Sequence, residues 1–431
     1  MGLRPLVACP HCARLHVRLP IEAGAVASCV RCGFPLYRQS RLSLNDWTAV
    51  LLGALAVFFL ATFLPLASLY TQGYTINATL MDALVYTWQQ GRPGVVIMCA
   101  LFVVAFPLGQ ILFLLWAIRA IVRRKLPDDF HLGLRVLHAI APWSMIPVLL
   151  LGMIVALVKL AGMVSSFSPG PGLWAMATLT VMMTILSRVT AHRLWRHAED
   201  DGLVPLSGAD LHAGRPYSSC QSCGYVQPDS DLAVDGHCVR CDARVHARKP
   251  GMHSKVWALL IAACIIYIPA NIMPVMTVRL PTGTVEHTIL GGVVELWRLG
   301  SWDLAIIVFV ASVVVPMAKL LGLAVLMVRS RWRGRLVQRQ RTRLYELVEF
   351  VGQWSMLDVF VVLLIGAMAD FPGLARITAG PGAFSFGLVV ILTMFAARSY
   401  DPRRGWDAEP AGSAADDTVA PTAPDLNEEA T

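Results

Sequence analysis

Eight of the ten cysteines in this 431-residue chain stand in four C-x-x-C pairs. The pairs form two groups of four, with 16 residues between the pairs of the first group and 14 in the second. The groups are Cys9, Cys12, Cys29 and Cys32, and Cys220, Cys223, Cys238 and Cys241. This spacing is typical of a zinc ribbon, in which four thiolates close the coordination of the ion. We therefore expect two structural Zn²⁺ sites, each folding a domain too small to form its own core.

The same eight thiolates allow other chemistry. A redox-active iron centre of the rubredoxin type uses the same ligands, and reactive thiols are a further alternative. Disulfides are disfavoured on the cytoplasmic side of a membrane, because that compartment is reducing. The remaining cysteines, Cys99 and Cys264, lie within apolar stretches and are expected to be apolar core residues.

A second group of candidate residues is polar and lies within apolar stretches of the second half. Lys319 and Asp358 carry opposite charges on consecutive helices, each roughly 15–18 Å from the end of its helix. Ser312 and Ser355 precede them on the same helix faces, and Thr393 on the next helix could extend the patch. Such residues within a membrane either pair to fix helix register or line a substrate or proton pathway.

The first half of the chain helps to separate these two interpretations. At the positions equivalent to Lys319 and Asp358 it has Gln110 and Pro147, so it keeps the helices without the charges. A pair needed only for folding would be needed in both halves. The difference favours a specialised site in the second half.

The elements that position these residues are membrane helices, since 56% of the residues are hydrophobic, 15% are charged and the mean hydropathy is +0.59. Long uncharged stretches are each long enough to cross a bilayer, at about 20 residues per span. The spans expected in the first half are 48–69, 94–118, 138–160 and 171–190. Those in the second half are 256–278, 303–328, 346–369 and 378–398.

The two halves are copies of one unit, because an offset of 209–211 residues aligns both cysteine groups and many landmarks between them. Trp143-Ser144-Met145 aligns with Trp354-Ser355-Met356, and Gly170-Pro171-Gly172 with Gly380-Pro381-Gly382. We expect an all-α polytopic membrane protein with two modules of four helices, each preceded by a ribbon. The divisions are a first ribbon (1–42), a first module (43–195), a linker and second ribbon (196–250), a second module (251–400) and a disordered acidic tail (401–431).

The net charge of +8 is concentrated in basic clusters that flank the spans, at 119–125, 188–196, 329–343 and 398–404. By the positive-inside rule these clusters, both ribbons and both termini are cytoplasmic, and the two copies have the same orientation. Because orientation already accounts for these charges, we expect no nucleic-acid partner.

In combination, three features resemble the paraquat-inducible protein A family. They are the paired ribbons, the Ile268–Met276 segment IPANIMPVM, and Pro316-x-x-Lys319 with Trp354–Phe360, WSMLDVF. The resemblance implies a protein of the Gram-negative inner membrane that works beside a periplasmic MCE-domain partner in lipid movement between the two membranes. Members often carry an acidic residue after the first Trp-x-Met, where this chain has Pro147.

Three functions remain open at this point: a lipid transport component that loads lipid onto the partner, an assembly scaffold for that partner, and an iron-dependent oxidoreductase. The chain has no G-x-x-x-x-G-K-[ST] loop, so transport would draw on a proton gradient or on downstream flow. Lys319 and Asp358 would then carry protons. No nucleophile–base pair or open metal site is apparent, and we expect a protein that is not an enzyme.

Overall fold

The structure is a computed structural model that describes residues 5–71, 74–161, 167–208, 217–229, 236–280, 283–298, 300, 302–328, 335–352, 356–368 and 376–408. It is mainly helical, with fifteen α-helices and twelve short strands among these residues. The remaining ranges lie outside the description below.

Each ribbon is built from short antiparallel strands. In the first ribbon, β1 (Leu6–Ala8) pairs with β2 (Leu15–Val17), and β3 (Val26–Ser28) pairs with β4 (Pro35–Arg38). The second ribbon contains β8 (Tyr217–Ser219) paired with β9 (Val226–Pro228), and a bridge joins His237 to Arg244. The ribbons touch, since the Tyr217 hydroxyl donates a hydrogen bond to the Ala13 carbonyl at 2.9 Å.

The two membrane modules repeat one order of elements. The first contains α1 (Leu44–Phe63), β5 (Ala67–Thr71), β6 (Tyr74–Ala78), α2 (Leu80–Gln89), α3 (Pro93–Ala100), α4 (Phe106–Val122), α5 (Phe130–Ile140), α6 (Ile146–Ala161), β7 (Phe167–Pro169), α7 (Pro171–Leu186) and α8 (Ala191–Asp200). The second contains α9 (Met252–Ile272), β10 (Met276–Leu280), β11 (Gly283–His287), α10 (Ile289–Arg298), α11 (Trp302–Phe309), α12 (Val315–Val328), α13 (Arg335–Gly352), α14 (Leu357–Met368), β12 (Arg376–Ala379) and α15 (Pro381–Ser399). Each module also has a three-stranded antiparallel sheet, in the orders β6-β5-β7 and β11-β10-β12.

Proline explains where the predicted spans differ from the helices. The first span of each copy ends early, at Phe63 and Ile272, because the residue before a proline is driven out of the α region. Leu64 and Met273 are accordingly extended, with ψ of 149° and 147°. In the second span of each copy, a π-helical turn (Leu101–Ala105 and Val310–Val314) precedes a proline that has no N–H to donate.

The third span of the first copy is interrupted, where one continuous helix was expected at 138–160. In that copy α5 ends at Ile140, a 3₁₀ turn covers Ala141–Trp143, and α6 begins at Ile146. In the second copy α13 ends at Gly352 and α14 begins at Leu357, and residues 353–355 of the span expected at 346–369 lie outside the described residues. Six helical segments in the described part of the chain are long and apolar enough to cross a membrane, or seven if α7 and α8, bent by 51°, count as one.

The two copies share a continuous apolar core. Helix α14 of the second copy packs against α6 and α2 of the first, and α15 packs against α3. A Cβ on Gly94 would lie 2.8 Å from the Phe384 ring, so this interface depends on a close approach by glycine. The Trp143 and Phe395 rings also meet across the interface, with centroids 5.0 Å apart.

The repeated Gly-Pro-Gly motif fastens the last helix of each module to its first loop. The Gly170 amide donates to the Leu66 carbonyl at 3.0 Å, and the Gly380 amide donates to the Val275 carbonyl at 2.7 Å. At both glycines, a Cβ would collide with the carbonyl oxygen of the proline that follows the first helix. The motif is therefore explained by backbone packing.

The first eight residues assigned to the disordered tail belong to the fold. Residues Pro402–Ala408 form a 3₁₀-helical segment, and Asp401, Arg403 and Trp406 are buried. The Asp401 carboxylate accepts hydrogen bonds from the Arg403 guanidinium at 2.9 and 3.0 Å, which explains how the two charges are accommodated. The rest of the predicted tail, 409–431, lies outside the described residues.

Candidate functional site

All four C-x-x-C pairs adopt the same turn. The amide of the residue after each second cysteine donates to the carbonyl of the first cysteine, at 2.8–2.9 Å, and this residue has a positive φ. The amide of the first cysteine donates to the carbonyl of the residue two positions after the second cysteine, which closes the loop around the pair. The four positive-φ residues are Ala13, Gly33, Gly224 and Asp242. The turns hold both sulfurs of a pair on the same side.

In each ribbon the sulfur atoms are gathered at the spacing of a metal site. The Sγ atoms of Cys9 and Cys32 are 3.5 Å apart, as are those of Cys12 and Cys29. In the second ribbon, the corresponding two distances are both 3.6 Å. Four sulfurs at about 2.3 Å from one ion lie about 3.8 Å from each other in a tetrahedron, so both sets fit a metal ion.

The other cysteines and the nearby histidines do not extend these sites. Cys99 is buried, as expected, whereas Cys264 is exposed on α9 and is not a core residue. His16 Nε2 lies 3.2 Å from Cys29 Sγ, within hydrogen-bond distance of one sulfur of the first ribbon. Each ribbon thus has a closed set of four cysteine ligands.

The second turn of the first ribbon docks on the second membrane module. The Arg31 guanidinium lies over the Trp406 ring, 5.0 Å from its centroid, and donates to the Trp406 carbonyl at 3.3 Å. Arg339 of α13 donates to the Arg31 carbonyl at 3.1 Å. Trp406 is 2% exposed and belongs to the same apolar cluster as the cysteines of this ribbon.

The second ribbon makes the equivalent contact with the first module. The Arg240 guanidinium lies 5.7 Å from the centroid of the Trp195 ring on α8 and 3.4 Å from the Glu199 carboxylate. Arg135 of α5 donates to the Cys241 carbonyl at 3.2 Å. Each ribbon therefore contacts the membrane module of the opposite copy through the arginine of its second turn. We call these the crossed contacts.

The crossed contacts are not among the predictions made from the sequence, although the repeat contains their signal. Trp406 follows Trp195 by 211 residues, within the repeat offset, and Arg240 follows Arg31 by 209. The acidic composition after Tyr400 concealed this match. The contacts could therefore have been predicted by continuing the alignment of the two copies beyond the last helix.

Lys319 is the most buried charged residue of the predicted polar patch. Its side chain on α12 is 2% exposed, and its Nζ donates to the Gly352 carbonyl, 3.3 Å away, at the last residue of α13. The carbonyls at a helix end have no helical partner and carry partial negative charge, so they stabilise an ammonium group. A Cβ on Gly352 would lie 2.8 Å from Lys319 Cε, which explains the glycine.

Two other members of the patch are buried and satisfied within their own helices. The Ser312 hydroxyl donates to the Val308 carbonyl at 2.6 Å, and that of Thr393 donates to the Val390 carbonyl at 2.8 Å. Helix α12, with Lys319, packs against α15, with Thr393. These residues thus lie on adjoining segments of the second module.

The predicted pairing of Lys319 with Asp358 is not resolved. Asp358 is the second residue of α14, and its side chain lies outside the described residues, as does Ser355. The expected depth of Asp358 assumed one continuous helix from Glu346, and residues 353–355 of that stretch lie outside the described residues. The partner of Lys319 in the described structure is the Gly352 carbonyl.

The equivalent position in the first copy is also buried but neutral. Gln110 on α4 is 4% exposed, and its Oε1 has no hydrogen-bond partner among the described residues. Both copies therefore bury a polar side chain at this point, and only the second buries a charge.

Comparison with known proteins was consistent with the repeat. The family model described as paraquat-inducible protein A matches twice, at residues 44–199 and 253–409. The chain is 32% identical to the intermembrane transport protein PqiA of Escherichia coli (strain K12) over 94% of this chain and 96% of that protein. It is 30% identical to the lipophilic envelope-spanning tunnel protein A of the same strain, over 94% and 92%. A probable intermembrane transport protein of Haemophilus influenzae is 27% identical, over 93% and 95%. No solved structure matches the chain.

The cysteine geometry predicts the metal content of the purified chain. We expect two metal ions per polypeptide by mass spectrometry of the elements, and one in a Cys220→Ser/Cys223→Ser variant, because each ribbon binds independently of the other's thiolates. A Cys99→Ser variant is the control and should retain both ions. A chain that carries no tightly bound metal would contradict this assignment.

Because of the crossed contacts, we expect the first ribbon to release its ion faster when the Trp406 indole is removed. Trp406→Ala should cost about 3 kcal/mol of docking for the first ribbon, because a buried indole and its cation–π partner are lost. Chelator should then extract one of the two ions at least about tenfold faster.

Trp174→Ala is the matched control, since Trp174 is 67% exposed. Its chelation rates should equal those of the unmodified chain. Equal rates in the Trp406→Ala chain would show that the first ribbon does not depend on the second module.

Proposed function

Because the chain belongs to the paraquat-inducible protein A family, we propose that it is the inner-membrane component of a lipid transport system. In this role it loads or transfers lipid to a periplasmic MCE-domain partner, for movement between the inner and outer membranes. The names of two relatives, an intermembrane transport protein and a lipophilic envelope-spanning tunnel protein, support this role. Coverage of more than nine-tenths of both relatives also supports it.

The observation that carries the proposal is the buried ammonium group of Lys319 in a candidate membrane helix. Charged groups at such positions are costly and generally mark a transport pathway or proton relay. The neutral Gln110 in the equivalent helix indicates that the fold itself can do without the charge. We therefore place the working site in the second copy.

The pathway would be lined by the whole polar patch of the second module. We propose that Lys319 and Asp358 exchange protons during transport, with Ser312, Ser355 and Thr393 supplying the neighbouring polar surface. Helix breaks support such a pathway, because broken helices within a membrane free backbone carbonyls that can line a cavity. The π-helical turn at Val310–Val314 and the end of α13 at Gly352 both lie close in sequence to these residues.

We propose that each module crosses the membrane four times, with α5–α6 and α13–α14 as broken third spans. Both ribbons and both termini would then be cytoplasmic, on the side of the basic clusters. The two three-stranded sheets follow the far ends of α1 and α9 and would face the periplasmic partner. Exposed tryptophans at that end, Trp88 and Trp297, support an interfacial or partner-facing position.

For the ribbons we propose Zn²⁺ in a structural role. Closed sets of four cysteines suit an ion that supplies folding energy and performs no catalysis. The domain divisions proposed from the sequence are kept, with the second module extended from residue 400 to residue 408 to include Trp406.

The transport proposal predicts the effect of removing the buried charges. Lys319→Gln, which introduces the residue of the first copy, and Asp358→Asn should abolish complementation of a strain that lacks this chain. The reason is that both variants keep the polar shape and remove the titrating group. The measurement is growth of the deletion strain under envelope stress, with immunoblots of membranes to show equal protein levels.

Gln110→Leu is the control, because its amide oxygen has no described partner and its removal should leave growth normal. If Lys319→Gln and Asp358→Asn complement fully, the pathway is wrong and the chain acts as an assembly scaffold for the partner.

A further inference from the structure

A cleft of about 860 Å³ lies between the first ribbon and α8, away from the cysteines and from Lys319. Its lining includes four arginines, Arg18 and Arg38 from the ribbon and Arg193 and Arg196 from α8, together with the carboxylates of Glu199 and Asp200. A volume of this size is typical of a binding site for a small organic molecule.

The two carboxylates are already engaged. Glu199 accepts a hydrogen bond from the Ser207 amide at 2.6 Å and lies 3.4 Å from Arg240. Asp200 forms an ion pair with Arg18. Among the described residues, no carboxylate lies within ion-pair distance of Arg38, Arg193 or Arg196, so the cleft has an excess of positive charge.

This excess is partly desolvated. The Arg196 guanidinium donates to the Leu36 carbonyl at 3.4 Å and lies over the Tyr37 ring, 5.9 Å from its centroid. Burial, together with the nearby Arg18 and Arg193, lowers the pKa of Arg196 to about 10, although Glu199 and Tyr37 act in the opposite direction. Like charges held together away from water are costly, and a bound anion would offset that cost.

The repeat replaces three of these four arginines. At the positions equivalent to Arg18, Arg38 and Arg196, the second copy has Asp229, Ala247 and Asp407, while Arg404 keeps the charge of Arg193. Asp407 is itself paired with Arg248. The second copy therefore builds the same architecture without three of the charges, and the full set of four arginines belongs to the first copy.

The cleft lies where a membrane headgroup could reach it. Arg193 lies over the ring of Trp47, 5.4 Å from its centroid, and Trp47 is in the first turn of the membrane helix α1. Arg193 and Arg196 are three residues apart on α8, so their side chains share one face of that helix.

We propose that this cleft binds a phosphate group, held by Arg193 and Arg196 with Arg38 at its edge. Guanidinium groups bind phosphate through paired, charge-assisted hydrogen bonds, which is the chemistry available here. The phosphate can come from the headgroup of an anionic phospholipid in the adjacent leaflet or from a soluble phosphate ester. The site does not rest on the transport proposal, because it lies in the other copy and uses none of the residues of the polar patch.

The test is native mass spectrometry of the full chain in a neutral detergent, titrated with short-chain phosphatidylglycerol and, separately, with inorganic phosphate. Arg193→Gln/Arg196→Gln should weaken phosphatidylglycerol binding by at least about tenfold, since two charge-assisted contacts are lost. Unchanged metal content in this variant would show that the ribbon is intact. The exposed Arg38→Gln provides a second variant that leaves α8 unaltered, and it should weaken binding in the same direction.

Arg123→Gln/Arg124→Gln removes the same charge from an exposed basic cluster outside the cleft and should leave binding unchanged. Competition by inorganic phosphate at similar concentration supports a soluble phosphate ligand, and binding of phosphatidylglycerol alone supports a lipid headgroup. Equal binding by the Arg193→Gln/Arg196→Gln chain, or an equal loss in the Arg123→Gln/Arg124→Gln control, would overturn the proposal.

Discussion

The crossed contacts between arginine and tryptophan hold the two copies in one structure at the ribbon end. In each ribbon, the turn that presents Arg31 or Arg240 is also one of the two turns that gather the four cysteine sulfurs. Once formed, that turn reaches Trp406 or Trp195 of the opposite copy. Further along, α14 packs against α6 and α2 and continues the same association through the membrane modules. Separating the copies would therefore expose two indoles and the α14 interface together.

Duplication has produced two copies with similar helices but different polar and charged side chains. The second copy buries the ammonium of Lys319 at the end of α13, where the first buries the amide of Gln110. The first copy keeps Arg196 in an unpaired basic cleft, where the second has Asp407 paired with Arg248. The helices are thus retained in both copies, while the buried polar side chain and the basic cluster differ between them.

The sequence predicts the features that depend on local spacing. The C-x-x-C turns, the repeat and most helix positions follow from residue type and period, and the structure agrees with them. Prediction from the sequence fails where the structure depends on a contact between residues that are far apart in the chain. Trp406 lies in an acidic stretch whose composition predicts disorder, yet the first ribbon covers it. The interruption between α5 and α6 is not visible in hydropathy, because the residues on both sides of it are apolar.

We propose that the buried Lys319 of the second copy supports lipid movement between two membranes. This role can be measured as the rate at which radiolabelled phospholipid passes between inner and outer membranes, in cells where this chain is the sole member of its family. The rate should fall to the level of cells lacking the chain when Lys319 is replaced by glutamine. An unchanged rate, with the replaced chain present at normal abundance in the inner membrane, would contradict it.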